Sequence, residues 1–134
     1  MALFPTGGSR SNFQVDNFGA NPSANIGTSV IPGTSGAEGA ATQLLTATAQ
    51  DALGFYVFVS NGSTTTAIKS HLLDIGIDPA GGTAYVWEIS NIVCGQSAGA
   101  PSCGWSFFFP MRIKAGSTVG ARVQGSNATP GTLR

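Results

Sequence analysis

His71 is the sole histidine and the one side chain whose ordinary pKa suits a base near neutral pH, so any Ser-His-Asp arrangement must be built around it. It falls inside an alternating stretch beside Lys69 and Ser70, which reads as a solvent-facing or interface histidine rather than a base. The string Gly95-Gln96-Ser97-Ala98-Gly99 has G-x-S-x-G spacing. A nucleophile elbow needs a helix directly after its serine, however, and Ala100-Pro101-Ser102 continues as loop. Asp74 and Asp78, four apart in LLDIGIDP, put two carboxylates on one face of a continuing strand, the pattern of an acid-base pair or a calcium site. Calcium takes roughly 6 to 8 oxygens and no further carboxylate clusters locally, so the turn-capping role of an Asp before Pro is favoured, with Asp74 pairing to Arg112 or Lys114. Cys94 and Cys103 are spaced too widely for a zinc knuckle and have only His71 to join them. Neither Gly7-Gly8 nor Gly81-Gly82 has the lysine or helix start of a phosphate cradle. The expectation is a protein that is not an enzyme, with no catalytic residues, no cofactor and no metal.

Charge is scarce. Lys, Arg, Asp and Glu make 9% of the 134 residues, against roughly 25% in an ordinary soluble domain. Hydrophobic residues stand at a normal 42%, which argues against disorder of the chain as a whole. Six basic and six acidic side chains cancel, leaving no field to steer the chain onto nucleic acid or an anionic membrane, and neither partner is expected. Small domains usually scatter both signs over their exterior to stay dispersed. A chain without that supply is expected to have much of its surface covered by neighbouring protein. Arg112, Lys114, Arg122 and Arg134 crowd the last thirty residues, while Asp51, Asp74, Asp78 and Glu88 lie in the middle. Such complementary ends could set register between copies or pair across strands within one copy.

The start MALFPTGGSR lacks an apolar stretch of signal-peptide length, so synthesis and folding in a cytosol are expected, with Cys94 and Cys103 reduced there; the Gly/Ser/Ala/Pro loop between them could be closed by a disulfide once the protein leaves the cell. Residues 1–40 are rich in Gly, Ser, Asn, Pro and Ala with thinly spread apolar residues, and read as an extended N-terminal arm. Its isolated anchors, Phe4, Phe13 and Phe18 among them, would dock elsewhere, and a short strand is expected near 28–31 before the turn PGTSG. Residues 41–134 read as the folded domain, with strands at 41–47, 53–60, 67–77, 84–93, 105–113 and 118–124. Asn61-Gly62-Ser63 has hairpin chemistry, and Asp78-Pro79-Ala80-Gly81-Gly82 and Ala115-Gly116-Ser117 are turn sequences.

Alternation assigns faces. In LGFYVFVS, Leu53, Phe55, Val57 and Val59 oppose Tyr56 and Phe58, so both faces are apolar and a strand covered on both sides is expected. Leu73, Ile75 and Ile77, with Tyr85, Trp87 and Ile89 and with Val119, Ala121 and Val123, line one core; Trp105, Phe107, Phe109, Met111 and Ile113 form a further set. An all-β, Greek-key or jelly-roll-like sandwich accommodates these strands.

LLDIGIDPAGGTAYVWEISNIV and GWSFFFPMRIKAGSTVGARVQGSN, with GTSVIPGTSGAEGAATQLL upstream, resemble segments of small all-β virion proteins of tailed bacteriophages over roughly residues 27 to 126. The matched positions are Asp74, Gly76, Pro110, Gly116, Arg122 and Gln124, for which turns and subunit contacts are the implied roles. The family pattern continues into one more apolar strand where this sequence ends TPGTLR, which implies either a sheet edge completed by another copy's arm or a longer native chain. The resemblance implies a virion structural protein, most fittingly a capsid decoration (cement) protein. It would bridge major capsid protein subunits beside copies of itself, as a trimer on the capsid surface, with Arg112, Lys114 and Arg122 joining the arm anchors at the interfaces. A tail, neck or fibre component contacting the host surface is the alternative, and a carbohydrate-binding or hydrolytic sandwich a third class.

Overall fold

The structure, a computed structural model, describes residues 28–59, 69–96, 105–125 and 133. The arm anchors Phe4, Phe13 and Phe18, the Asn61-Gly62-Ser63 turn, Ser97, Cys103 and Arg134 lie outside these residues. Six strands are described: β1 (Thr42–Leu45), β2 (Phe55–Val59), β3 (Lys69–Asp78), β4 (Val86–Gln96), β5 (Trp105–Phe109) and β6 (Thr118–Gly125). A 3-10 turn at Thr34–Gly36 precedes them. They form a four-stranded sheet in the order β1-β6-β3-β4 and a two-stranded sheet of β2 and β5, every pair antiparallel. The all-β expectation holds, with antiparallel sheets as a β-sandwich requires. Near residues 28–31 the expected strand reduces to one bridge, Val30 to Leu133.

The turn sequences act as their chemistry dictates. Gly81 adopts φ 78° and donates its N–H to the Asp78 carbonyl at 3.1 Å. The Asp78 carboxylate accepts the N–H groups of Ala80 and Ala84, both at 2.9 Å, and the Thr118 hydroxyl donates to the Gly82 carbonyl at 2.6 Å. Asp78 is thus a turn cap, buried where β3 reverses into β4. Gly116 takes φ 85° in the second turn. Pro110, which cannot donate to a ladder, ends β5 four residues short of the expected limit, and Ile113 re-pairs as an isolated bridge with Ala52. The hairpin expectation after β2 fails as a pairing: β2 is bonded to β5, and β3 belongs to the other sheet.

β3 is central, flanked by β6 and β4, and its residues alternate as expected. Leu73, Ile75 and Ile77 are buried with Val119, Ala121 and Val123 of β6, and the inward residues Phe55 and Val59 of β2 join the same core. Half-buried Val57, Phe107, Phe109 and Met111 pack against it. Each large side chain so enclosed contributes about 1.5–3 kcal/mol.

Face assignment in β4 needs correction. Leu73 pairs with Ile92, Ile75 with Ile89 and Gly76 with Trp87, so β4 spends one extra residue in each interval. Each such bulge reverses the alternation. Ile89 and Ile92 therefore face the core, whereas Tyr85 and Trp87, expected inside with Ile89, lie on the opposite face. There they rest on bare backbone. A Cβ on Gly76 would meet the Trp87 ring at 2.8 Å, and one on Gly120 would meet Cζ of Tyr85 at 2.6 Å. Gly120→Ala is expected to destabilise the protein by about 1–3 kcal/mol through overpacking, read as a lower urea midpoint with an unchanged slope.

Candidate interaction surface

The outer face of the four-stranded sheet gathers most of its polar chemistry around Asp74. Arg122, its register partner on β6, donates Nε at 3.0 Å and a terminal nitrogen at 2.9 Å to Oδ2, while Asn91 donates its backbone N–H to Oδ1 at 2.8 Å. Asn91 sits at φ 61°, a left-handed conformation that asparagine tolerates, so the carboxylate holds one β4 bulge in place. Arg122 also reaches Glu38 at 2.7 Å and lies 4.2 Å above the Trp87 ring centroid, a cation–π contact. Gln124 completes the patch by donating its side-chain amide to the Gly36 carbonyl. Of the six positions that carry the resemblance, Asp74 and Arg122 are bonded to each other here, Gly76 lies beneath the Trp87 ring that Arg122 covers, and Gln124 anchors the Gly36 turn beside them. Asp74 pairs with Arg122 rather than with Arg112 or Lys114.

Arg112 and Lys114 sit together at another corner, where residues 48–52 are zipped to 112–117. Ala52 and Ile113 exchange backbone bonds at 2.8 and 2.9 Å, and the Thr48 hydroxyl and N–H donate to the Lys114 and Ser117 carbonyls. Arg112 donates to Asp51 at 2.6 Å on the exposed surface, with the Ala115 N–H on the other carboxylate oxygen at 2.8 Å. These two bonds, Arg112 first, hold the Asp51 carboxyl below its ordinary value, so the pair is intact at neutral pH and lost as pH falls through that lowered pKa. Beside this corner an open groove of about 240 Å³ is lined by Ile77, Glu88, Met111, Arg112, Lys114 and Ser117, among others. The Ser117 hydroxyl is committed to the Lys114 carbonyl at 2.6 Å.

The third surface is the outer face of β2 and β5. Tyr56 pairs with Phe108 and Phe58 with Ser106, and these four side chains point away from the core. Tyr56 is 64%, Phe58 73% and Phe108 53% exposed, with Leu53 just ahead of β2 at 68%. The rings touch one another: Tyr56 and Phe108 lie 4.8 Å apart, and Tyr56 and Phe58 stack at 6.3 Å. Gly54 makes room for this layer, since a Cβ there would stand 2.8 Å from Cζ of Phe108. Two expectations change here. This chain's described residues cover β2 on one side only, and Leu53 is outside rather than in the core set. The sequence signal was available, because aromatics occur at both parities of FYVFV and SFFF.

His71 is 1% exposed on the inward parity of β3, which overturns its placement toward solvent. Cys94, its register partner on β4, is a buried free thiol whose pKa burial pushes up to about 11. No group of three or more His, Cys, Asp or Glu that could hold a metal ion occurs among the described residues. No protein-family model, curated protein or solved structure matches the chain.

Two measurements check these assignments. Arg122→Ala strands the Asp74 carboxylate, 8% exposed, without its counter-ion, and is expected to cost about 3 kcal/mol in urea unfolding. Because the core accepts the neutral thiol, the contribution of Cys94 is intact below its ordinary value of 9.0 and erodes as pH rises toward about 11. Its peptide should accordingly resist alkylation at pH values below 9.0 in the folded protein and label fully in denaturant, as read by mass spectrometry.

Proposed function

We propose that this chain is a structural protein of a tailed-bacteriophage virion, decorating the capsid surface by bridging major capsid protein subunits beside copies of itself. The observation that carries this reading is the outer face of β2 and β5, where Tyr56, Phe58 and Phe108 are each more than half exposed. The chain has only 9% charged residues to keep such a surface dispersed. Contiguous apolar surface of this kind marks a site covered by another macromolecule. Decoration needs no chemistry from the chain: each copy stabilises a shell by burying surface against several neighbours, and modest contacts add through multivalency.

The strand order supports an architecture of the same kind. We read β1-β6-β3-β4 facing β2-β5 as an eight-stranded jelly roll, an architecture found in viral capsids, from which the fourth and fifth strands are omitted. The chain then passes from the third strand to the sixth through the Asp78–Gly82 turn. On this reading the second sheet keeps two strands of four, and among the described residues its β5 edge carries no further strand, which leaves it to a neighbour's backbone. The resemblance over residues 27–126 points to the same setting.

Particles produced by the genome that encodes the chain, purified by density gradient, test the proposal through quantitative mass spectrometry. Hundreds of copies per particle are expected for a decoration protein. A dozen or fewer would move the chain to a tail, neck or fibre, and absence from purified particles would overturn the virion reading.

A further inference from the structure

The surface that most needs a partner also specifies what kind of partner fits it. Leu53, Tyr56, Phe58, Ser106 and Phe108 include no charged side chain. A covering surface that brought an anion here would leave it desolvated and unpaired, so an apolar partner without acidic side chains over the same extent fits it best. The polar side-chain groups of these five are the hydroxyls of Tyr56 and Ser106, each both donor and acceptor and therefore able to pair with its own kind.

We propose that the outer face of β2 and β5 is a twofold contact between two copies of this chain, the sheets stacked face to face. Like patches meet in such an isologous contact, and this one brings no like charges together. The four exposed apolar side chains present on the order of 500 Å² per copy, so stacking removes about 1,000 Å² in all, the level at which a specific protein interface becomes sustainable. Sheets packed in this way stand about 10 Å apart with their strands roughly aligned, and the interdigitating side chains fill that gap. Gly54 adds preorganisation. By letting the Phe108 ring lie over the backbone it keeps the aromatic layer low, so little side-chain freedom is lost on contact. The inference deepens the assembly reading of the same face by naming one of its partners.

Sedimentation velocity of the full chain, from micromolar to near-millimolar concentration, tests it. A reversible dimer is expected. The combined substitutions Tyr56→Ser, Phe58→Ser and Phe108→Ser should leave a monomer with an unchanged β-sheet circular dichroism spectrum. Should that variant fail to fold, Ser106→Glu leaves the aromatic layer in place and buries a carboxylate without a counter-ion in each half of the contact, weakening the dimer by roughly tenfold or more. A wild-type chain monomeric throughout, or a dimer that Ser106→Glu leaves unchanged, would overturn the contact. A monomeric chain nonetheless abundant in purified particles would overturn the twofold contact alone and leave the virion reading standing.

Discussion

The Asp74 carboxylate is the constraint around which the larger sheet is organised. It lies on the central strand, and its two oxygens are divided between neighbours on either side: Arg122 of β6 on one and the backbone of Asn91 in β4 on the other. A strand pair alone leaves register free to slip by two residues without changing which face is buried. A fixed carboxylate bonded to both flanking strands removes that freedom. It also accounts for the bulge, since an N–H turned toward Asp74 is an N–H withdrawn from the ladder. With the bulges in place Trp87 and Tyr85 face outward over Gly76 and Gly120, and the Arg122 guanidinium that neutralises Asp74 covers the Trp87 ring. The carboxylate therefore fixes strand register and one of the two β4 bulges, and its counter-ion packs on the Trp87 ring that the second bulge turns outward.

The same scarcity of charge that marks the composition governs where the ions are used. Arg122 serves both Asp74 and Glu38, and Arg112 serves Asp51, which also ties down the Ala115 backbone. These ions are occupied within the chain, chiefly in joining segments distant in sequence. What remains on the outside of β2 and β5 is aromatic. An exterior built in this way gains little from water and loses little by being covered, the balance that the proposed contact between proteins calls for.

Much of the fold was legible because its signals are local. The cluster from Asp78 to Gly82 and the Gly116 turn carry their own backbone chemistry, and the alternation of LLDIGID and TVGARVQ identifies the core faces of β3 and β6 from sequence alone. The failures arise where one strand's geometry is decided by another. Nothing within AYVWEISNIV announces two extra residues, because the carboxylate that demands one of them is contributed by Asp74 across the sheet. The pairing of β2 with β5 joins strands some fifty residues apart, a relation that an Asn-Gly turn signal does not contain. Polar residue type likewise misled at His71, whose parity with Leu73 and Ile75 placed it inward while its chemistry pointed to solvent.

The outer face of β2 and β5 is a built feature rather than residual hydrophobicity. A two-stranded sheet is marginal on its own and depends on what packs against it. Here one face is secured by Phe55, Val59 and the core beneath them, so stability within the chain makes no demand for aromatics on the other. Threonine or lysine at positions 56, 58 and 108 would satisfy the same backbone and solvate better. Instead the Tyr56 ring lies against both Phe58 and Phe108, and Gly54, at a loss of backbone entropy, clears the space that Phe108 occupies. Two independent features, aromatic side chains outside and an absent side chain beneath, act together: they hold the exposed aromatic layer in place, the preorganisation that the proposed contact calls for.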